Sequence, residues 1–280
     1  MFLQPRPDGV YVDATVGLGG HTAALLDAGA GRVIGIDRDR AALDRTRRRL
    51  AAKGDRVVLV HAEYRHLDEV LDRAGVGRVQ GVVADLGASS AQFDDAARGF
   101  SFRQAGPLDM RMDPSQGESL GRRLADVNEG ELADVVRRFG EERHARQVAR
   151  AIVRARDRGA LETTADLAAA VRRAAGRGRW SRLDPATRTF QALRIWVNDE
   201  LAALEALLPA AAGRLEPGSR LAVIAFHSLE DRIVKRTLRR MADEGTVRLV
   251  TRRPVVPGPD ERARNPRARS ARLRVAERAA

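Results

Sequence analysis

An α/β fold, in which a mostly parallel sheet carries an inserted all-helical subdomain, is predicted by three features of this sequence. Short β-branched runs alternate with helix-patterned stretches near the N-terminus. A glycine-rich turn lies between the first strand and the first helix. A long segment without strand character then separates the fourth strand from the next. At 280 residues the chain holds one large domain, or a domain with a substantial insertion.

Val10 to Ala14 reads as the first strand, followed by the glycine turn and a helix from Thr22 to Ala28. Arg32 to Ile36 is the second strand. The helix after it, Arg40 to Ala52, is capped by Asp39, whose short carboxylate suits the first-turn N–H groups. Val57 to His61 and Val79 to Ala84 supply two more strands, and the next convincing one is Arg220 to Ala225. A βα crossover needs roughly a dozen residues plus its turns, so residues 89 to 219 contain far more than a connection. Helices are expected there at Leu132 to Arg138, Ala145 to Arg156, Thr164 to Ala174 and Pro185 to Leu208. Residues 1–92 and 200–280 are assigned to the sheet domain, and 93–199 to the insertion. Leu229 to Asp243 is helical, and Val247 to Thr251 with Ala271 to Val275 close the sheet as an antiparallel pair. The Pro- and Arg-rich stretch Pro254 to Arg269 is either a loose connection or an arm facing a polyanion.

Hydrophobic residues at 44% and charged residues at 31% give a globular balance, and no apolar run reaches membrane-span length. The N-terminal residues carry no secretory pattern, so a cytoplasmic location is expected. The absence of cysteine excludes disulfides, Cys-based zinc sites and thiol nucleophiles, and the five histidines lack ligand spacing, so no metal is expected. A net charge of +12 favours a polyanionic partner such as RNA. All the basic residues except Lys53 and Lys235 are arginine, a bias that codon usage also produces, so charge alone decides little.

The segment from Asp13 to His21 ends a strand and opens a helix, with Gly17, Gly19 and Gly20 letting the backbone approach a ligand that a Cβ would block. Asp37 ends the second strand, where a carboxylate accepts hydrogen bonds from ribose hydroxyls. Thr22 occupies the third glycine position of the pyrophosphate-binding pattern. This disfavours NAD and suits S-adenosylmethionine, whose ammonium and sulfonium call for carboxylates such as Asp13 and Asp85. Asp85 and the small residues after it close the fourth strand at the same edge, leaving room for a flat base. A strand-end turn with local hydrogen bonding would look the same.

Several ordered blocks resemble one family. They are Asp13 to His21, DLGASSAQFD from Asp85, GFSF from Gly99, GPLDMRMD from Gly106 and GEERHARQVARAI from Gly140, with PATRTFQALRIWVNDEL from Pro185, AFHSLEDRIVK from Ala225 and NPRARSARLR from Asn265. The chain is similar over nearly its whole length to the 16S rRNA (cytosine N4) methyltransferases, also called MraW or ribosomal RNA small subunit methyltransferase H. The resemblance implies a class I (Rossmann-like) methyltransferase sheet with a helical substrate-recognition insertion. It also implies S-adenosylmethionine as cofactor and methylation of the exocyclic N4 of one cytosine, conventionally numbered 1402. The implied partner is 16S rRNA in the small ribosomal subunit, with no membrane; a homodimer is compatible with this reading. Carried over, the cofactor contacts are Gly19, Gly20, His21, Asp37, Tyr64, Asp85 and Gln92, where Tyr64 replaces the family's phenylalanine. The family's His-x-Pro-Val-Leu type motif before the first strand is not among these residues.

An exocyclic amine is a poor nucleophile, so orientation and a hydrogen-bond acceptor carry the chemistry. Asp85-Leu86-Gly87 stands where many amino methyltransferases have Asp/Asn-Pro-Pro-aromatic. Asp85 and Asp109 are the catalytic candidates, with Ser89 and Ser90 as substrate groups. Asp85 serving only the cofactor, and Asp109 pairing with Arg111, are the alternatives. Ser228 and Asp231 read as a capping box, while His227 is placed to contact the base or ribose. Asn198 either faces the cleft or is buried. RNA contacts are expected from Arg172, Arg173, Arg177, Arg179, Arg182 and Arg188 and from Arg264, Arg267 and Arg269, while Trp180 is either a stacking platform or part of the core. Competing functions are a non-catalytic ribosome assembly factor and an NAD-dependent oxidoreductase.

Overall fold

The computed structural model describes residues 2–175 and 184–280. Arg177, Arg179, Trp180 and Arg182 lie outside the described residues. The chain divides into two compact units, one running to Gly87 and resuming at Leu201–Ala280, the other Ala88–Glu200. The sequence reading placed these boundaries a few residues away, at 92/93 and 199/200.

The first unit contains β1 (Val10–Asp13), α1 (Gly20–Asp27), β2 (Arg32–Asp37), α2 (Arg40–Arg49), β3 (Val57–His61), α3 (Leu67–Arg73) and β4 (Val79–Asp85). The second contains α4 (Ser90–Asp94), α5 (Leu120–Asp126), α6 (Glu129–Gly140), α7 (Ala145–Asp157), α8 (Thr164–Ala175) and α9 (Ala186–Asn198). From α10 (Glu200–Arg214) the chain returns to the sheet, with β5 (Leu215–Ala225), α11 (Ser228–Asp243), β6 (Val247–Leu249), α12 (Pro259–Arg264) and β7 (Arg272–Arg278).

The seven strands are ordered β3-β2-β1-β4-β5-β7-β6. The first five are parallel, and β7 runs antiparallel to both β5 and β6. Alternate side chains of each strand enter opposite layers. Ile34, Ile36, Val82, Ala84 and Val223 pack with Leu67, Leu71, Leu204, Leu207 and Leu208, whereas Val33, Val83, Ala222 and Val275 pack with Tyr11, Leu25 and Leu26. Burial on both faces explains why these strands read as continuous apolar runs rather than alternating ones. From β1 the chain winds to β2 and β3 on one side, and from β4 to β5 on the other. The carboxyl ends of β1 and β4 therefore flank the point where the winding reverses, the place where open α/β sheets form ligand crevices.

The helical unit has its own core of Leu132, Val136, Val148, Ile152, Leu167, Val171, Phe190 and Leu193. A Cβ on Gly140 would stand 2.7 Å from the Arg188 carbonyl, so α6 and α9 approach here only because the residue is glycine.

Two sequence expectations are corrected. The single helix Pro185 to Leu208 is two, because Asp199 adopts a left-handed conformation (φ 49) that ends α9 before α10 begins. The stretch Pro254 to Arg269 is not a loose connection. Val255 and Leu273 exchange two backbone hydrogen bonds of 2.9 Å, α12 follows, and Ala268 is buried.

Asn198, at the end of α9, fixes a loop of its own unit. Its Oδ1 accepts from Met112 N–H at 2.7 Å, and its Nδ2 donates to the carbonyls of Met110 (2.7 Å) and Arg194 (2.9 Å). Met110 is itself left-handed (φ 59) and fully buried, a conformation that persists only when its surroundings enforce it. Replacing Asn198 by Ala strands buried backbone groups, and we expect about 2–4 kcal/mol of lost stability in urea unfolding. A loss under about 1 kcal/mol would show that water satisfies the loop instead.

Candidate active site

The turn after β1 is held in shape by side chains from its neighbours. Asp37, at the end of β2, accepts the Gly17 N–H on Oδ2 at 2.7 Å and the Asp39 N–H on Oδ1 at 2.8 Å. The Thr46 hydroxyl of α2 donates to the Gly17 carbonyl at 2.6 Å, so both backbone groups of this left-handed glycine (φ 49) are gripped. The Thr46 methyl fills the space where a Cβ on Gly19 (φ 76) would sit, 2.8 Å away. At Gly20 nothing lies within 4 Å of that position, so the backbone at the start of α1 is open to a ligand.

Asp13 is fully buried. Its Oδ2 accepts from the Thr22 hydroxyl at 2.8 Å and its Oδ1 from Thr15 N–H at 3.3 Å. This corrects its expected contact with the cofactor ammonium, because its oxygens are turned into the fold and hold the turn. Burial raises its pKa, against the opposing pull of His21 and the Thr22 hydrogen bond. Burial likewise pushes Asp37 up to about 6 despite its two N–H donors.

The Thr15 hydroxyl accepts the Asp85 N–H at 2.7 Å, tying the turn to the end of β4. Asp85 Oδ2 lies 3.3 Å from His21 Nε2, and that hydrogen bond raises the His21 pKa above the usual range, against desolvation. Asp85 Oδ1 is buried with no hydrogen-bond partner among the described residues. A solvent-shielded acceptor without a donor is costly unless a ligand completes it.

Gly19, Gly20, His21, Asp37 and Asp85 thus share the carboxyl edge of the sheet unit. Tyr64, in the turn after β3, is half-buried and packs on the sheet core. Gln92, Ser89, Ser90, Asp109 and Asn198 belong to the helical unit. The Ser89 hydroxyl and Gln92 carboxamide cap α4 reciprocally: Gln92 N–H donates to Ser89 Oγ (3.3 Å) and Ser89 N–H to Gln92 Oε1 (2.9 Å). Ser90 is exposed in the first turn of α4.

Asp109 does not have the geometry of a free acceptor. Burial works to raise its pKa, but Arg111, donating from Nε (2.8 Å), Nη2 (2.9 Å) and its backbone N–H (3.1 Å), holds it below the usual range. Asn198 is engaged with the Met110–Met112 loop and its own helix, through its carboxamide oxygen and both of its N–H donors. The capping box of α11 also falls one residue earlier than expected. His227 is the cap, with Nδ1 accepting Glu230 N–H at 3.4 Å, while Glu230 Oε2 accepts His227 N–H at 3.3 Å. Asp231 instead forms a buried ion pair with Arg274 (2.7 Å) that also takes in Arg272 (2.9 Å). Arg172 is bound to Asp184 at 2.7 Å, and Arg188 lies 4.0 Å from Glu142. Arg264 donates to its own helix at the Asp260 carbonyl, while Arg267 and Arg269 are exposed. Thr15, Thr22 and Thr46 were missed by the sequence reading. Thr46 left one trace, a β-branched polar residue at a buried position of an arginine-rich helix.

The residues present fit an adenosyl cofactor. An open glycine backbone at Gly20 and the Asp37 carboxylate at the end of the second strand suit a ligand with hydroxyl and amine donors. With this strand order, they define a class I methyltransferase using S-adenosylmethionine. The MraW methylase family matches residues 1–279. Ribosomal RNA small subunit methyltransferase H of Sorangium cellulosum is 55% identical over 276 residues, covering 99% of this chain and 87% of that protein. Its namesake in Deinococcus radiodurans is 52% identical over 278 residues, covering 99% and 86%. The chain belongs to the MraW methylase family, and the oxidoreductase alternative is discarded.

Two predictions follow the geometry. Between about pH 4 and pH 6 the folded chain keeps a proton on Asp37 that the unfolded chain, with a carboxyl near 3.9, has released. This group's contribution to stability therefore falls as pH rises through that window, by about 3 kcal/mol. Urea midpoints of wild type minus Asp37→Asn should show that slope and be flat above it. Thr46→Val keeps the shape but removes the donor to Gly17, and calorimetry should show cofactor affinity weakened several-fold and restored in Thr46→Ser.

Proposed function

We propose that this protein transfers a methyl group from S-adenosylmethionine to the exocyclic N4 of a single cytosine of 16S rRNA, the decoding-region position conventionally numbered 1402, in the cytoplasm. The observation that carries the reading is the unpartnered, buried Asp85 Oδ1 at the switch point of the sheet. The motif blocks and the names of the relatives support rRNA as substrate and cytosine N4 as target.

Asp37 accepts the ribose hydroxyls, using lone pairs left over from Gly17 and Asp39 N–H, and the Gly19–Gly20 backbone approaches the ligand where no side chain intervenes. Tyr64 supplies a ring against the adenine. S-adenosylmethionine supplies a methyl group made electrophilic by its sulfonium sulfur. Asp85 Oδ1 accepts the hydrogen bond of the N4 amine, keeping the lone pair of nitrogen directed at the methyl carbon, and takes the proton that nitrogen releases when the N–C bond forms. His21, bonded to Oδ2, fixes the rotamer of Asp85 and leaves Oδ1 for the substrate. The target cytosine must be unpaired or flipped out, because pairing hides its N4 edge.

Asp85→Asn should lower kcat at least about 100-fold while changing cofactor affinity much less. A weakened cofactor affinity with kcat unchanged would reduce Asp85 to a binding group. Small subunits lacking the modification, incubated with tritium-labelled cofactor and mapped by mass spectrometry, should carry one N4-methylcytidine at position 1402. A different nucleotide would overturn the assignment, and no incorporation would favour an assembly factor.

A further inference from the structure

Exposed helical arginines in this protein commonly have an acidic partner one turn away: Arg47 with Asp44, Arg73 with Glu69, Arg122 with Asp126, Arg137 with Asp134 and Arg239 with Asp243. Helix α7 departs from this. It buries Ala145, Val148, Ala149, Ile152 and Ala155, and its solvent face carries Arg146, Arg150 and Arg154, continued by Arg158 at the C-cap. Each follows the last by four residues. Arg146, Arg154 and Arg158 have no hydrogen-bond, ion-pair or ring partner among the described residues, and Arg150 has only an exposed pair with Glu129 at 3.2 Å. The nearby Glu142 carboxylate is engaged elsewhere, accepting His144 N–H at 2.8 Å.

Like charges one turn apart destabilise a helix by a few tenths of a kcal/mol per pair, so the row opposes folding unless an anion meets it. Four residues of helix rise about 6 Å, comparable to the step between successive phosphates of a nucleic acid strand. Guanidinium groups are also better suited than ammonium groups to phosphate oxygens.

We propose that the solvent face of α7 is a phosphate-tracking surface, on which Arg146, Arg150 and Arg154 meet consecutive phosphodiesters of an RNA strand. The surface reads backbone rather than sequence, and it rests on RNA being the substrate of this enzyme. It also takes the place of Arg172, whose side chain is already bound to Asp184.

The test is fluorescence anisotropy of the full-length protein with a labelled single-stranded RNA of arbitrary sequence, across a salt series. Arg146→Gln, Arg150→Gln and Arg154→Gln combined should weaken binding at least tenfold at low salt. It should also reduce the slope of log affinity against log salt by about 2, since each lost phosphate contact removes roughly 0.7. The melting temperature should hold or rise, S-adenosylhomocysteine affinity should not change, and the triple Lys variant should keep the wild-type slope. An unchanged slope in the Gln variant overturns the surface while leaving cytosine methylation standing. So does normal RNA binding with loss only on the assembled subunit, which points to a protein contact. A wild type that binds no such RNA also overturns the surface, while cytosine methylation stands or falls on the subunit assay.

Discussion

The site depends on the pair of hydrogen bonds that close around Gly17, from its N–H to Asp37 and from Thr46 to its carbonyl. A glycine turn alone has too much conformational freedom to present a defined surface. Here that freedom is removed by two neighbouring elements, the end of β2 and the middle of α2, which the parallel sheet brings alongside the turn. The carboxylate proposed to receive the ribose is the same group that shapes the turn, so on that reading cofactor recognition and loop geometry cannot be altered separately at Asp37.

A second level of organisation separates carboxylates by what surrounds them. Asp13, Asp109 and Asp231 all have their oxygens occupied, by Thr22 and backbone, by Arg111, and by Arg274 with Arg272. Asp85 differs in keeping one buried oxygen unmatched, and that difference, rather than position in the sequence, is what supports the proposal that it accepts the proton.

Much of this was legible beforehand because periodicity and turn chemistry are local. Strands β1 to β4, the glycine turn and Asp37 are each encoded within a few residues, and Asp39 was identified as a cap from its type alone. What the sequence left open or misplaced shares a physical cause. Whether Asn198 faces a cleft or clamps a loop depends on Met110 and Met112, far away in the chain, and the break at Asp199 depends on one left-handed residue inside an otherwise helical pattern. The capping box was misplaced by one position because His227, an uncommon cap, outcompeted Ser228. Thr46 was invisible because its role exists only when α2 lies beside the turn.

The claim that an ionised Asp37 holds the adenosyl ribose is tested most directly by calorimetric titration of S-adenosylhomocysteine as a function of pH. With a carboxyl near 6, the account predicts affinity about tenfold weaker at pH 5 than at pH 8, levelling off above 7, opposite in slope to the stability contribution of the same group. A dissociation constant that is flat across this range, with Asp37→Asn binding as tightly as wild type, would contradict it.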